Sequence, residues 1–339
     1  MKDDECTMDG KDTLSQSEKK KFNLSVTATS LRSYAISLVF LLLMVVFSLS
    51  SPVFFRAENL FNVTRQVAML GISAVGMTFV ILAGGIDLSV GSLLSLVSVV
   101  CAKLMVEVGL SPTLAVTLTL LMCTGVGALN AFFINEINIP PLITTLGTMT
   151  ILRGTSYVLS TGRHVWGFPD SFRFVGQGYL GPFPVPVIIM ALIFLFGWIF
   201  LGRTPFGRWT YGIGNNEEAT RLSGINIKKM KYLLYMLSSL MTGIAGIILL
   251  SRMSSGQPKV GTGYELEVVT AVVLGGVSIF GGEGKLLGVL FGVLIIGVLE
   301  NGMILLNVSD YYQQIILGFV LLAAVGFDNK VSGRLKRNQ

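Results

Sequence analysis

Apolar stretches long enough to cross a membrane recur from one end of this chain to the other, and that recurrence decides what it can fold into. A helix needs about 20 predominantly apolar residues to span the hydrocarbon core. Ten such stretches are readable, at roughly 34–51, 66–82, 88–106, 112–134, 140–159, 185–201, 232–250, 264–280, 286–306 and 311–327. The eighth is the weakest, because Glu265 and Glu267 stand at its start, and it reads equally as a re-entrant or broken helix. Pro140 and Pro141 suit the first turn of the fifth. Composition agrees: 52% of the 339 residues are hydrophobic and 13% charged, about half the charged share of a soluble domain. Disorder, a fibrous repeat and a secreted disulfide scaffold are excluded. The scattered Cys6, Cys101 and Cys123 and the single His164 leave no disulfide framework and no Cys/His metal spacing.

Charge placement gives the topology. Six Lys and Arg lie in 1–33, six in 202–231, one in 281–285 and four in 328–339, so 17 of 25 fall on one side if both termini are inside. The net charge of +6 is thus membrane-orientation chemistry, and a nucleic-acid partner is not expected. The chain divides into a cytoplasmic tail 1–33, a membrane domain 34–327 with its longest inner loop at 202–231, and a cytoplasmic tail 328–339. The tail 1–33 has the wrong length and charge pattern for a signal peptide, so the first span is expected to be retained. A weak internal repeat relates Gly84-Gly85-Ile86-Asp87-Leu88-Ser89-Val90-Gly91 to Gly275-Gly276-Val277-Ser278-Ile279-Phe280-Gly281-Gly282 at an offset of 191. Chance and an internally duplicated transporter core are both open at this point. The span count puts both turns on the same side.

Within the inner loop, Asn215-Asn216-Glu217-Glu218-Ala219-Thr220-Arg221-Leu222-Ser223-Gly224 specifies a short helix outside the membrane. Asn is a good N-cap, two glutamates complement the helix dipole, Glu217 and Arg221 form an i, i+4 pair, and Gly224 closes the end. Two turns are unstable alone in water, so the helix is either a connector packed on its own body or a docking element. Asp87, with Ser89 two residues on, is either the N-cap of the third span or a residue of a translocation path, since an intramembrane acid is costly. Glu300 and Asn301 in the ninth span read as a proton site, a polar pore pair or a helix–helix hydrogen bond. The outer segment 160–184 is either an interfacial anchor or a docking surface, and 251–264 has the same polar outer character. No phosphate loop exists, because Gly281-Gly282-Glu283-Gly284-Lys285 is followed by Leu286, and no catalytic constellation is present. The chain is expected not to be an enzyme.

These residues resemble the permease subunits of bacterial ABC importers for monosaccharides, and among them the ribose permeases. The similarity runs from about Leu38 to Lys330. It is carried by Val75-Gly76-Met77-Thr78 with Gly84 to Ser92, by Gly214 to Asn226, by Gly261-Thr262-Gly263-Tyr264-Glu265-Leu266, and by Ala271 to Gly276 with Gly281-Gly282. Asn215 stands where glycine is expected and Glu218 where alanine is common. The resemblance implies an all-α integral membrane protein of about ten transmembrane helices in the bacterial cytoplasmic (inner) membrane. It implies a second permease copy, an ATP-binding subunit that uses ATP and Mg, and an extracytoplasmic sugar-binding protein, with no cofactor in this chain. Asn215, Asn216, Glu217, Glu218, Ala219, Arg221, Leu222 and Gly224 then form the ATPase-coupling surface. Asp87, Ser89, Glu300 and Asn301 are the candidates for the translocation path. An ABC permease for a non-sugar solute and an ion-coupled carrier are the alternatives.

Overall fold

The structure, a computed structural model, describes residues 37–337, with side chains described to Gly326. The expected tail 1–33 lies outside the described residues. The helices are α1 (Ser37–Ser50), α2 (Ala57–Leu82), α3 (Val90–Val106), α4 (Pro112–Asn135), α5 (Pro141–Ser160), α6 (Asp170–Gln177), α7 (Val185–Arg203), α8 (Pro205–Asn215), α9 (Glu217–Leu222), α10 (Ile227–Met253), α11 (Tyr264–Leu274), α12 (Leu286–Leu305) and α13 (Asp310–Arg337). Each of the ten apolar stretches coincides with a helix, and α6, α8 and α9 are additional. Five helices, α2, α4, α7, α10 and α12, are long and apolar enough to cross a membrane. The all-α expectation needs one amendment. After α6, β1 (Tyr179–Leu180) and β2 (Phe183–Pro184) pair antiparallel, Tyr179 opposite Pro184 and Leu180 opposite Phe183. At the other end of the chain, α13 continues as helix through most of the expected tail 328–339.

Proline starts several helices, standing at the first or second position of α4, α5, α7 and α8, where its missing N–H costs nothing. Helix α2 is the centre: 89% of its apolar window is buried, against 28% for α7 and 39% for α4. Helix α10 packs along α2, α3 and α4. Between membrane helices there is no hydrophobic gain from contact, so close van der Waals packing must hold them. Gly127 on α4 supplies it, because a Cβ there would stand 2.7 Å from the Met236 Cα of α10. Some hydroxyls are settled within single helices: Thr78, Thr119 and Thr270 donate to the carbonyls of Ala74, Ala115 and Leu266 at 2.6–2.7 Å.

Helices α2 and α11 end identically. Gly85 N donates to Val80 O (3.0 Å) and Gly84 N to Ile81 O (2.9 Å), while Val277 N donates to Val272 O (3.3 Å) and Gly276 N to Val273 O (2.8 Å). Gly84 and Gly276 hold φ of 78° and 89°, the left-handed C′ conformation of this cap. The structural correspondence is therefore offset by 192, one more than the glycine alignment of 191, because the helix end rather than the glycine pair is what matches. The two turns lie together, as expected, with Gly282 N donating to Leu82 O at 2.9 Å.

Two segments turn back into the helical body. From the α8–α9 end, the chain after Leu82 rises until Asp87 accepts a bond from Ser238 Oγ (3.2 Å), level with Gly76, whose Cβ would lie 2.8 Å from Ser238 Cα. Gly76 is six residues, about 9 Å, inside the end of α2. From the α6 end, residues 254–263 descend beside α3. Gln257 N donates to Ser98 Oγ (3.2 Å), Ser95 Oγ donates to Pro258 O (2.6 Å), and Gly261 lies against Gly91 and Leu94. This stretch, expected at the outer surface, is instead packed along a helix. Helix α11 then starts at mid-body, with Tyr264 Oη donating to Met69 O (2.9 Å) and sharing a hydrogen bond with Ser73 Oγ (3.0 Å), halfway along α2. Its 11 residues rise about 16 Å, half a bilayer core. The expected span 264–280 is thus a half-length helix, cut at Gly275-Gly276.

The Gly127 contact gives a direct test. Gly127→Leu overpacks the α4–α10 seam and should destabilise the chain by about 1–3 kcal/mol. Thermal unfolding of the detergent-solubilised protein should show a lower transition, whereas Gly125→Leu, which meets open space, should not.

Candidate functional site

The first candidate surface is the α8–α9 elbow. Thr204 Oγ1 caps α8, accepting from Gly207 N at 3.4 Å. The far end of α8 is fixed to the Gly-rich turns: Tyr211 Oη donates to Gly284 O (2.9 Å) and Asn215 Nδ2 to Gly282 O (3.4 Å). Asn216 then caps α9, its Oδ1 accepting from Ala219 N at 2.9 Å, as the sequence predicts. Gly224, at φ 83°, follows the helix end. The expected Glu217–Arg221 pair does not form. Arg221 bonds Glu218 at 2.6 Å and Glu217 bonds Lys231 of α10 at 2.8 Å, because a lysine from a neighbouring helix reaches Glu217. The hydrogen bond to Glu218 holds the Arg221 guanidinium above its ordinary pKa.

Thr220 alone of α9 is buried, its Oγ1 3.1 Å from where a Gly212 Cβ would be. Asn215, Asn216, Glu217, Glu218, Ala219, Arg221, Leu222 and Gly224 are all exposed, Leu222 at 79%. Six residues cannot hold a helix by themselves. Here one buried threonine, a cap and one cross-helix ion pair do so, leaving the outer face clear. Beneath α9 a cavity of about 170 Å³ is lined by Gly84, Gly85, Glu217, Lys231 and Tyr235 among others.

The second candidate is the polar interior. Asp87 is fully buried and accepts from Ser89 N (3.1 Å), from Ser89 Oγ and from Ser238 Oγ. The N-cap position of α3 falls to Ser89, and Asp87 holds Ser89 in place. From Ser89 the chain of bonds continues: Asn130 Nδ2 donates to Ser89 Oγ (3.1 Å), and Thr148 Oγ1 donates to Asn130 Oδ1 (2.7 Å). One network therefore ties the start of α3 to α4, α5 and α10. Asn301 and Asn59 exchange two amide bonds, at 2.8 and 2.9 Å. Gln66 Nε2 donates to Glu300 Oε2 at 2.7 Å, while Glu300 Oε1 has no partner among the described residues. Of the three readings of Glu300 and Asn301, a helix–helix bond is present, joining α12 to α2. Asp87 with Ser89 and Glu300 with Asn301 form two separate clusters.

Sequence reasoning did not single out Arg153. Its Nη1 donates to Val260 O (2.8 Å) and its Nη2 to Gly261 O (3.1 Å), clasping 254–263 to α5. The available signal was an ionisable residue inside the fifth apolar stretch. The segment 160–184 packs on the end of α10: Gly176 N donates to Ser251 Oγ (2.8 Å), which donates to Phe172 O (2.7 Å). Trp166 remains 65% exposed.

Residues 59–325 match the family described as branched-chain amino acid transport system / permease component. The chain is 43% identical over 319 residues to the ribose import permease protein RbsC of Bacillus subtilis, covering 94% of this chain and 98% of that protein. It is 41% identical over 306 residues to the L-arabinose transport system permease protein AraH of Escherichia coli, covering 87% and 90%. The D-allose transport system permease protein AlsC of Escherichia coli is 35% identical over 321 residues, covering 93% and 96%. No solved structure matches the chain. With one family model spanning the helical body and relatives aligned over nearly their whole length, this chain belongs to the family of transport-system permease components.

Proposed function

We propose that this chain is the membrane-spanning subunit of an ATP-driven importer for ribose or a related monosaccharide. The observation that carries the reading is the likeness, over nearly the full length, to permeases named for ribose, arabinose and allose. Two copies enclose the solute path in the inner membrane, among lipid, with ten crossings each and both termini cytoplasmic. The excess of Lys and Arg at 202–231 and in the tails supports that orientation. ATP and Mg are used by a separate ATP-binding subunit, and an external sugar-binding protein delivers the solute at the α6 end.

The α9 face meets the ATPase. Its support is physical: an exposed two-turn helix with Leu222 outward and Thr220 inward is built to be gripped. Movement of α9 is passed to α10 by Glu217–Lys231 and to the Gly84-Gly85 turn across the shared cavity. The permease then alternates between two states whose balance the partners set, with no tight site of its own. Along the path, Asp87 and Ser89 brace the start of α3, and Glu300 and Asn301 brace α12 on α2.

Glu217→Arg with Glu218→Arg reverses the charge of the docking face. ATP-driven ribose uptake into cells or vesicles should fall about tenfold or more, as for lost interfacial charge pairs, while the chain still inserts. Unchanged uptake would sink the coupling role, and uptake that collapses with a protonophore at constant ATP would favour an ion-coupled carrier. Asp87→Asn should lower thermal stability by about 1–3 kcal/mol, since an amide leaves buried donors unmatched. A variant as stable as the parent would remove the bracing role.

A further inference from the structure

The segment 254–263 presents charge where a membrane protein cannot present it to lipid. Pro258 is held at the level of Ser95 by the Ser95 Oγ bond. Ser95 lies 11 residues, about 16 Å, from the Val106 end of α3. In the other direction, α3 itself starts about 9 Å inside the end of α2. The next residue, Lys259, is exposed, as is Thr262, and Lys259 enters no salt bridge among the described residues. A four-carbon stem does not carry the ammonium to either surface from such a depth. An unpaired ammonium in hydrocarbon is heavily penalised, and ionisable groups at this depth face water-filled space. Irregular backbone obeys the same rule, being tolerated at depth only when buried in protein or lining such a space.

Helix α5 continues this face. Arg153 clasps Val260 and Gly261, so the loop sits beside α5. Thr150, one turn before Arg153, and Gly154, the residue after it, are exposed, and a Cβ on Gly154 or Gly147 would meet nothing within 4 Å, which leaves a shallow strip between the exposed Ile143 and Val158 of the same face. On α7 the outward face carries Leu192, Leu195 and Trp198, all more than half exposed.

We propose that segment 254–263, with the adjoining face of α5, is the water-facing wall of the solute passage, and that Lys259 and Thr262 meet the solute at mid-depth. The proposal rests on the transport reading above. An ammonium, hydroxyls and small residues suit an uncharged polyhydroxylated solute, which exchanges hydrogen bonds with the wall and is not trapped by it. Arg153 is a positioning residue for the loop.

The test is accessibility in the assembled transporter in its native membrane. Lys259→Cys, Thr262→Cys and Leu192→Cys, each made alone with Cys6→Ser, are exposed to a cationic methanethiosulfonate. Cys101 and Cys123 are buried and serve as background. Thiolate forms in water and not in lipid, so residues 259 and 262 should react about tenfold faster or more than residue 192. Ribose uptake is measured on the Cys6→Ser parent and on Leu192→Cys. If uptake is intact and both loop cysteines react no faster than residue 192, the wall is overturned and the transport reading survives. If the loop cysteines react fast but neither the parent nor Leu192→Cys takes up ribose, the wall stands and the choice of solute falls.

Discussion

A peptide group in hydrocarbon must find its partner inside the protein, and this fold interrupts helices at mid-depth all the same. The rest of the structure is arranged around those two interruptions. One precedes α3 and the other precedes α11, and they come together where Gly261 lies on Gly91. Their loose groups are paired by side chains from neighbouring helices. Ser95 and Arg153 take hydrogens to the carbonyls of Pro258, Val260 and Gly261, and Ser98 accepts from Gln257 N. On the opposite approach Thr145 Oγ1 of α5 donates to Ile86 O and Asp87 accepts from Ser89 N, its carboxylate held in turn by Ser238 of α10. Each such donor or acceptor would be costly alone in an apolar span. Together they let α3 and α11 begin in the interior.

The α8–α9 elbow is fixed to the same structure. Gly214, Gly281 and Gly84 stand so close that a Cβ on Gly281 would be 2.8 Å from Gly84 N and 3.0 Å from Gly214 Cα. The end of α2, the turn after α11 and the end of α8 thus share one contact. A close-packed junction of backbones has little freedom to deform, so these three ends move together or not at all.

Much of this was legible in the sequence because its signals are local. Ten apolar stretches give ten helices, and Asn216 before two glutamates gives the capped α9. What escaped was set by distant contacts. For the run 264–280 a broken helix is one of the sequence readings, but the sequence does not place its end at Leu274, where Gly276 takes the left-handed cap. Glu217 has Arg221 at ideal spacing, but Lys231 of another helix takes its carboxylate. Residues 254–263 carry the composition of a surface loop. Only the tertiary partners Ser95, Ser98 and Arg153 show that they descend beside α3. The repeat was visible but misaligned by one residue, since glycine identity marks a turn less exactly than its hydrogen bonds do.

The two ways in which buried polar groups are satisfied differ in how freely the sequence can drift. A threonine such as Thr78 bonds the carbonyl four residues back on its own helix. Its hydroxyl can be gained or lost without any answering change elsewhere, so such positions evolve independently. Asn59 and Asn301 complete each other across 242 positions of sequence. A change at either strands the amide of the other, so the pair is expected to persist or to be replaced as a unit in descendants of this chain.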